Sequence, residues 1–84
     1  MKTEWIKFVM LDTPDRKTNI WQVYTSDGTQ TLGFIKWFGA WRKYCYFPFA
    51  DTVYEQDCLR RISEFIEAET SLYRQAAGAK VVGA

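Results

Sequence analysis

Residues 33–49 read GFIKWFGAWRKYCYFPF, with eight aromatic side chains, three basic ones and no acid. In an extended strand, successive side chains point to opposite faces of the sheet. Applied to QTLGFIKWF (30–38), that rule puts Leu32, Phe34 and Phe38 on one side and Ile35 and Trp37 on the other. In WRKYCYF (41–47), Trp41, Cys45 and Phe47 oppose Tyr44 and Tyr46, with Gly39-Ala40 as the turn between strands and Pro48 as the stop. Both alternation sets are apolar or aromatic. A sheet built from these strands therefore needs cover on two faces.

Upstream, EWIKFVML (4–11) alternates loosely and reads as a first strand. DTPDRKTN (12–19) is charged and turn-rich, and IWQVYT (20–25) is a second strand of β-branched and aromatic residues. Asp27-Gly28 then predicts a hairpin with both turn residues at positive φ. Downstream the period changes. Cys58, Leu59, Ile62, Phe65, Ile66 and then Leu72 or Tyr73 recur at three- and four-residue steps, the stripe of an amphipathic helix over about 56–75. Asp51 or Thr52, or the acidic Glu55 and Asp57, are the candidates for its start.

The expected fold is α+β: a four-stranded (three to five) antiparallel meander followed by one C-terminal amphipathic helix packed on one face. Residues 1–76 form a single domain, and 77–84 a flexible C-terminal tail. One helix covers one face of one sheet. The other face calls for a second copy of the chain, a partner protein, nucleic acid, or the first strand or 12–19 loop folded back over it.

Composition narrows the chemistry. Eighty-four residues hold one core, and aromatics at 18% supply the bulk that so short a chain needs. The net charge is only +1, which argues against bulk phosphate binding, but its distribution is uneven. Residues 33–49 carry Lys36, Arg42 and Lys43 unopposed, whereas residues 51–69 carry six acids against Arg60 and Arg61. Histidine is absent, Cys45 and Cys58 lack metal-ligand spacing, and no glycine-rich phosphate loop occurs. No metal, no cofactor and no enzymatic activity are expected, and the cysteines read as two buried free thiols, with one disulfide between them as the alternative. Apolar runs are too short to cross a membrane. Met1-Lys2-Thr3-Glu4 leads directly into a strand-like run, so no secretory leader is expected and the expected compartment is the cytoplasm.

Two resemblances bear on function. The run GFIKWFGAWRKYCYF resembles the opening strands of a cold-shock domain, which stack unpaired bases on exposed rings; the segments that follow in that family are replaced here by a helical third. The wider pattern is Leu32-Gly33-x-Ile35-Lys36-Trp37, Trp41-Arg42-x-Tyr44-x-x-x-Pro48, Thr52-Val53-Tyr54, then Cys58-Leu59-x-x-Ile62-x-x-Phe65-Ile66. Over residues 20–66 it is similar to small proteins of bacteriophages and prophages. That resemblance implies an accessory protein in a bacterial host cell, acting by docking on a host protein or nucleoprotein complex. An anti-CRISPR-like inhibitor that occludes a nucleic-acid or partner site is its most concrete form. The expected partner-binding residues are Lys36, Trp37, Trp41, Arg42, Lys43, Tyr44 and Tyr46, with the acidic helix face at Glu64 and Glu67 as a second surface. The alternative is single-stranded nucleic-acid binding by the aromatic-basic sheet face.

Overall fold

The computed structural model describes residues 6–13 and 17–82, with helix side chains described as far as residue 76. Strands β1 (Ile6–Met10), β2 (Ile20–Thr25), β3 (Thr31–Phe38) and β4 (Lys43–Pro48) form one antiparallel sheet in the order β1-β2-β3-β4, and helix α1 spans Gln56–Val82. The expected meander and single helix are both present.

The register assigns the faces. Trp21 lies opposite Ile35, and Ile35 opposite Tyr46. Phe8 lies opposite Val23, and Trp37 opposite Tyr44. These residues share one side of the sheet, and α1 lies across it with Cys58, Ile62, Phe65, Ile66 and Tyr73 turned towards them. Ile35 and Val23 are completely buried at the centre. Phe65 stacks on Phe8 at 4.0 Å between ring centroids and meets Trp21 edge-on at 5.0 Å. Of the two residues considered for the far end of the helix stripe, Tyr73 packs, 4.6 Å from Trp37, while Leu72 is exposed, as is Leu59.

Leu32 departs from simple alternation. β2 and β3 slip register at Val23/Tyr24, where Val23 faces Gly33 but Tyr24 faces Thr31. The extra residue is Leu32, and the bulge turns its side chain into the core beneath the helix instead of leaving it beside Phe34. Gly33 follows for a steric reason. A Cβ there would sit 2.4 Å from the Phe47 carbonyl oxygen and 2.9 Å from Pro48 Cα.

The turns also differ from the expected two-residue form. Thr25 and Gln30 close a four-residue loop in which only Gly28 has positive φ, at 80°. Asp27 instead acts through its carboxylate, accepting bonds from the Thr25 and Thr29 hydroxyls and the Thr29 amide. Between β3 and β4, Trp41 and Arg42 belong to the turn and not to the strand, because the amides of both bond back to the Phe38 carbonyl. Arg42 adopts φ 56°.

The helix starts at Glu55, not at Asp51 or Thr52. Its carboxylate accepts the Asp57 and Cys58 amides, while the Thr52 hydroxyl bonds to the Phe49 carbonyl. Asp57 pairs with Arg60 at 2.8 Å in an exposed i,i+3 bridge, and Arg61 turns to the ring of Phe8. At its far end the helix continues to Val82, past the expected stop near Gln75. The side chains of the expected tail, 77–84, lie outside the described residues, as does the start of the expected first strand.

Two expected outcomes test these local arguments. Gly33→Ala forces backbone movement at the bulge and lowers stability by about 1–3 kcal/mol in urea unfolding. Hydrogen bonding from Thr29 and Thr25 lowers the Asp27 pKa from 3.8 to about 2. The contribution of the charged group is therefore complete above the unfolded value and fades as pH falls towards 2. The Thr29 amide resonance should titrate with a midpoint near 2; a midpoint near 4 would mean that the carboxylate is not held by its neighbours.

Candidate functional site

The face of the sheet away from α1 is built from the other alternation set. Its rows run Ile20, Lys36, Cys45; then Gln22, Phe34, Phe47; with Phe38 beside Lys43 and Lys7 beside Tyr24. No described element crosses it. Trp41 folds from the β3–β4 turn to meet the Phe38 ring edge-on at 5.0 Å. From the other end of β4, Phe49 meets Phe34 at 5.3 Å. These end members are the open ones, with Trp41 at 66% exposure and Phe49 at 41%. Phe34, Phe38 and Phe47 between them are half-buried by one another. Such edge-to-face contacts are the favoured geometry of aromatic clusters.

The cations lie among these rings. Lys36 Nζ stands 4.9 Å from the Phe47 ring centroid, and Lys7 Nζ 5.9 Å from that of Tyr24. Lys43 is exposed at the start of β4. The strand positions of this face carry Lys7, Lys36 and Lys43 and no carboxylate. The result is an aromatic sheet with a positive field of its own.

Against the expected site, the structure brings Lys36, Trp41 and Lys43 together on this face, and Arg42 lies exposed at its rim with its carbonyl accepting the Arg74 guanidinium at 2.9 Å. It separates off Trp37, Tyr44 and Tyr46, which share the alternation of Ile35 and so turn under the helix. Tyr44 is 2% exposed, its hydroxyl accepts the Asn19 amide, and its own amide donates to the Thr70 hydroxyl on α1. The Tyr46 hydroxyl bonds to that of Tyr54, which also reaches the Leu32 carbonyl. Burial first, and then the bond to Tyr54, hold the Tyr46 phenol well above its ordinary pKa. These tyrosines keep their polar ends satisfied inside the protein and do not offer them to water. Phe34, Phe38, Phe47, Phe49, Tyr24 and Lys7 take the vacated places on the face; their shared alternation with Lys36 was the available signal.

Glu64 and Glu67 are exposed on α1, and Glu67 borders the cleft between α1 and β4 together with Lys43, Tyr46 and Thr70. A cleft of about 760 Å³ opens at the helix start, floored by Ile6, Leu32, Tyr54 and Cys58 and rimmed by Asp27, Asp51, Glu55 and Asp57. Three of these carboxylates already hold the hairpin turn, the helix start and Arg60. Among the described residues no group of three or more His, Cys, Asp or Glu side chains is placed to hold a metal ion. Both cysteines are free, and burial raises the pKa of each thiol, the opposite of what activates a nucleophile. No helix among the described residues is long and apolar enough to cross a membrane.

Fold and surface together define a small α+β protein in which one helix closes one side of a four-stranded meander and leaves a ring-lined, lysine-bearing side open. The chain belongs to a family of small bacteriophage proteins. It is 38% identical over 64 residues, 76% of this chain, to an uncharacterised 9.3 kDa protein of Acholeplasma phage L2, and the match covers 82% of that relative. No established family profile matches the chain, and no solved structure does.

The inward and outward assignment is directly testable. Trp37→Ala empties the space between Tyr44 and Tyr73 and should cost about 3 kcal/mol of stability. Trp41→Ala, on the open side, should change stability by about 0.5 kcal/mol or less. Urea denaturation of the pair checks both, and equal losses would overturn the assignment of faces.

Proposed function

We propose that this phage protein is a non-catalytic binding module of the host cytoplasm. It docks stoichiometrically, through the open sheet face, on an anionic surface of a host protein or nucleoprotein complex. Inhibition of a host defence complex in the anti-CRISPR manner is its most concrete form, with occlusion of a nucleic-acid or partner site as the mechanism.

The observation that carries this reading is the open face itself, where partly exposed rings stand with lysines, no carboxylate occupies a strand position and no described element lies across it. Exposed aromatic clusters of this kind mark interaction sites more often than solvated surface. The exposed acids Glu64 and Glu67 lie on α1, and no carboxylate stands among the strand positions of the open face. The resulting charge asymmetry orients the open face towards a negative partner during approach. Arg42 adds a second support. It stands exposed at the rim of the face in a left-handed turn, where φ 56° costs a non-glycine residue roughly 1 kcal/mol.

A photo-crosslinking residue at position 41, compared with one at position 64, tests the interface in infected host cells. Position 41 should give a discrete adduct that Lys36→Glu abolishes, and position 64 should not. Adducts from position 64 alone would move the interface to the helix. Arg42→Gly should raise the midpoint of thermal unfolding while weakening that adduct; a gain in stability with undiminished adduct would remove Arg42 from the contact.

A further inference from the structure

We infer that the occupant of the open face is single-stranded nucleic acid, held by stacking on Trp41 and its neighbouring rings, with Lys7, Lys36 and Lys43 against the phosphates. This rests on the docking role proposed above and names the partner's chemistry. The first argument is charge. A second copy of the chain meeting this face would set Lys7, Lys36 and Lys43 against the same three lysines with no acid to pair them. A polyanion meets them with complementary sign. The second is the kind of cation. The charges on the strands are all lysine, a flexible point charge that protein interfaces disfavour and that follows a phosphate backbone without needing a fixed geometry.

The third argument is the rings. The face presents phenylalanine and tryptophan, whose π-surfaces take a base of any sequence, and its inner members are pinned edge-on so that the platform keeps its shape. Unpaired bases can reach such a surface, whereas a duplex buries its base faces in its own stack. No described helix or strand pair projects from this face to enter a groove. Trp41, at 66% exposure and packed against only the edge of the cluster, is placed to receive the first base.

The test is fluorescence anisotropy of fluorescein-labelled dT20 titrated with the full chain, alongside the matching duplex and labelled polyglutamate. Lysine contacts to about three phosphates predict a slope near −2 in log affinity against log salt. Affinity for dT20 should therefore fall about 20-fold between 50 and 200 mM salt. Lys36→Gln should flatten that slope, and Trp41→Leu should weaken binding about tenfold with circular dichroism unchanged. Tryptophan emission should be quenched on binding in the wild type and much less in Trp41→Leu. Absence of dT20 binding at 20 mM salt, or duplex binding as tight as that of dT20, overturns the inference. If dT20 fails while polyglutamate binds and Lys36→Gln abolishes that binding, the docking face stands and its partner is an acidic protein. If neither probe binds, the face itself is not a docking surface.

Discussion

The ring of Phe65, held between Phe8 and Trp21, is the contact on which the architecture turns. It ties the single helix to β1 and β2, as Thr70 ties it to β4, and a single helix shields one side only. Everything on that side is then committed: Ile35 and Val23 sealed at the centre, Tyr44 and Tyr46 with their hydroxyls bonded internally, and the Tyr44 amide held by Thr70. No further described element is left to treat the other side in the same way. Its rings there are left to cover one another, and they do so incompletely.

That incompleteness differs from an ordinary exposed apolar patch in its charge. A protein with a net charge of +1 would show little field if its charges were mixed. Here the strand positions that face away from the helix carry three lysines and no carboxylate, so this face has a positive field of its own. The half-buried, protonated thiol of Cys45 lies on the same face as Lys36, where it acts as a small apolar side chain.

Much of this was legible from residue order. Period-two and period-3.6 patterns gave the meander and the helix, and the surplus of aromatic positions in β3 and β4 announced a face without cover. Which face was a different matter. In β3 and β4 both alternation sets are aromatic, so neither strand could say which side the helix takes. β2 could have, since Trp21 and Val23 alternate with Gln22 and Tyr24, and its pairing with β3 carries that choice through Ile35 to Tyr46. The tyrosines misled because a hydroxyl usually seeks water, and nothing in the residue order shows that Tyr54 and Asn19 wait for them. Backbone events stayed hidden for a similar reason. The left-handed turn at Arg42 removes Trp41 from the strand, and the bulge at Leu32 turns that side chain over, and each is set by hydrogen bonds that residue types alone do not encode.

The two margins of the sheet are unequal. Along β4 the outward residues are Tyr44, Tyr46 and Pro48; Tyr44 already donates to Thr70, and proline has no N–H to give. Along β1, Phe8 and Met10 point their peptide groups away from β2, and no described strand meets them. Lateral growth of the described sheet is thus hindered at one border and permitted at the other. Two chains joining through their β1 borders would use up the permitted side of each, and the ribbon would end there. This asymmetry disfavours open-ended lateral growth of the described sheet, even though no described strand pairs with one of its borders.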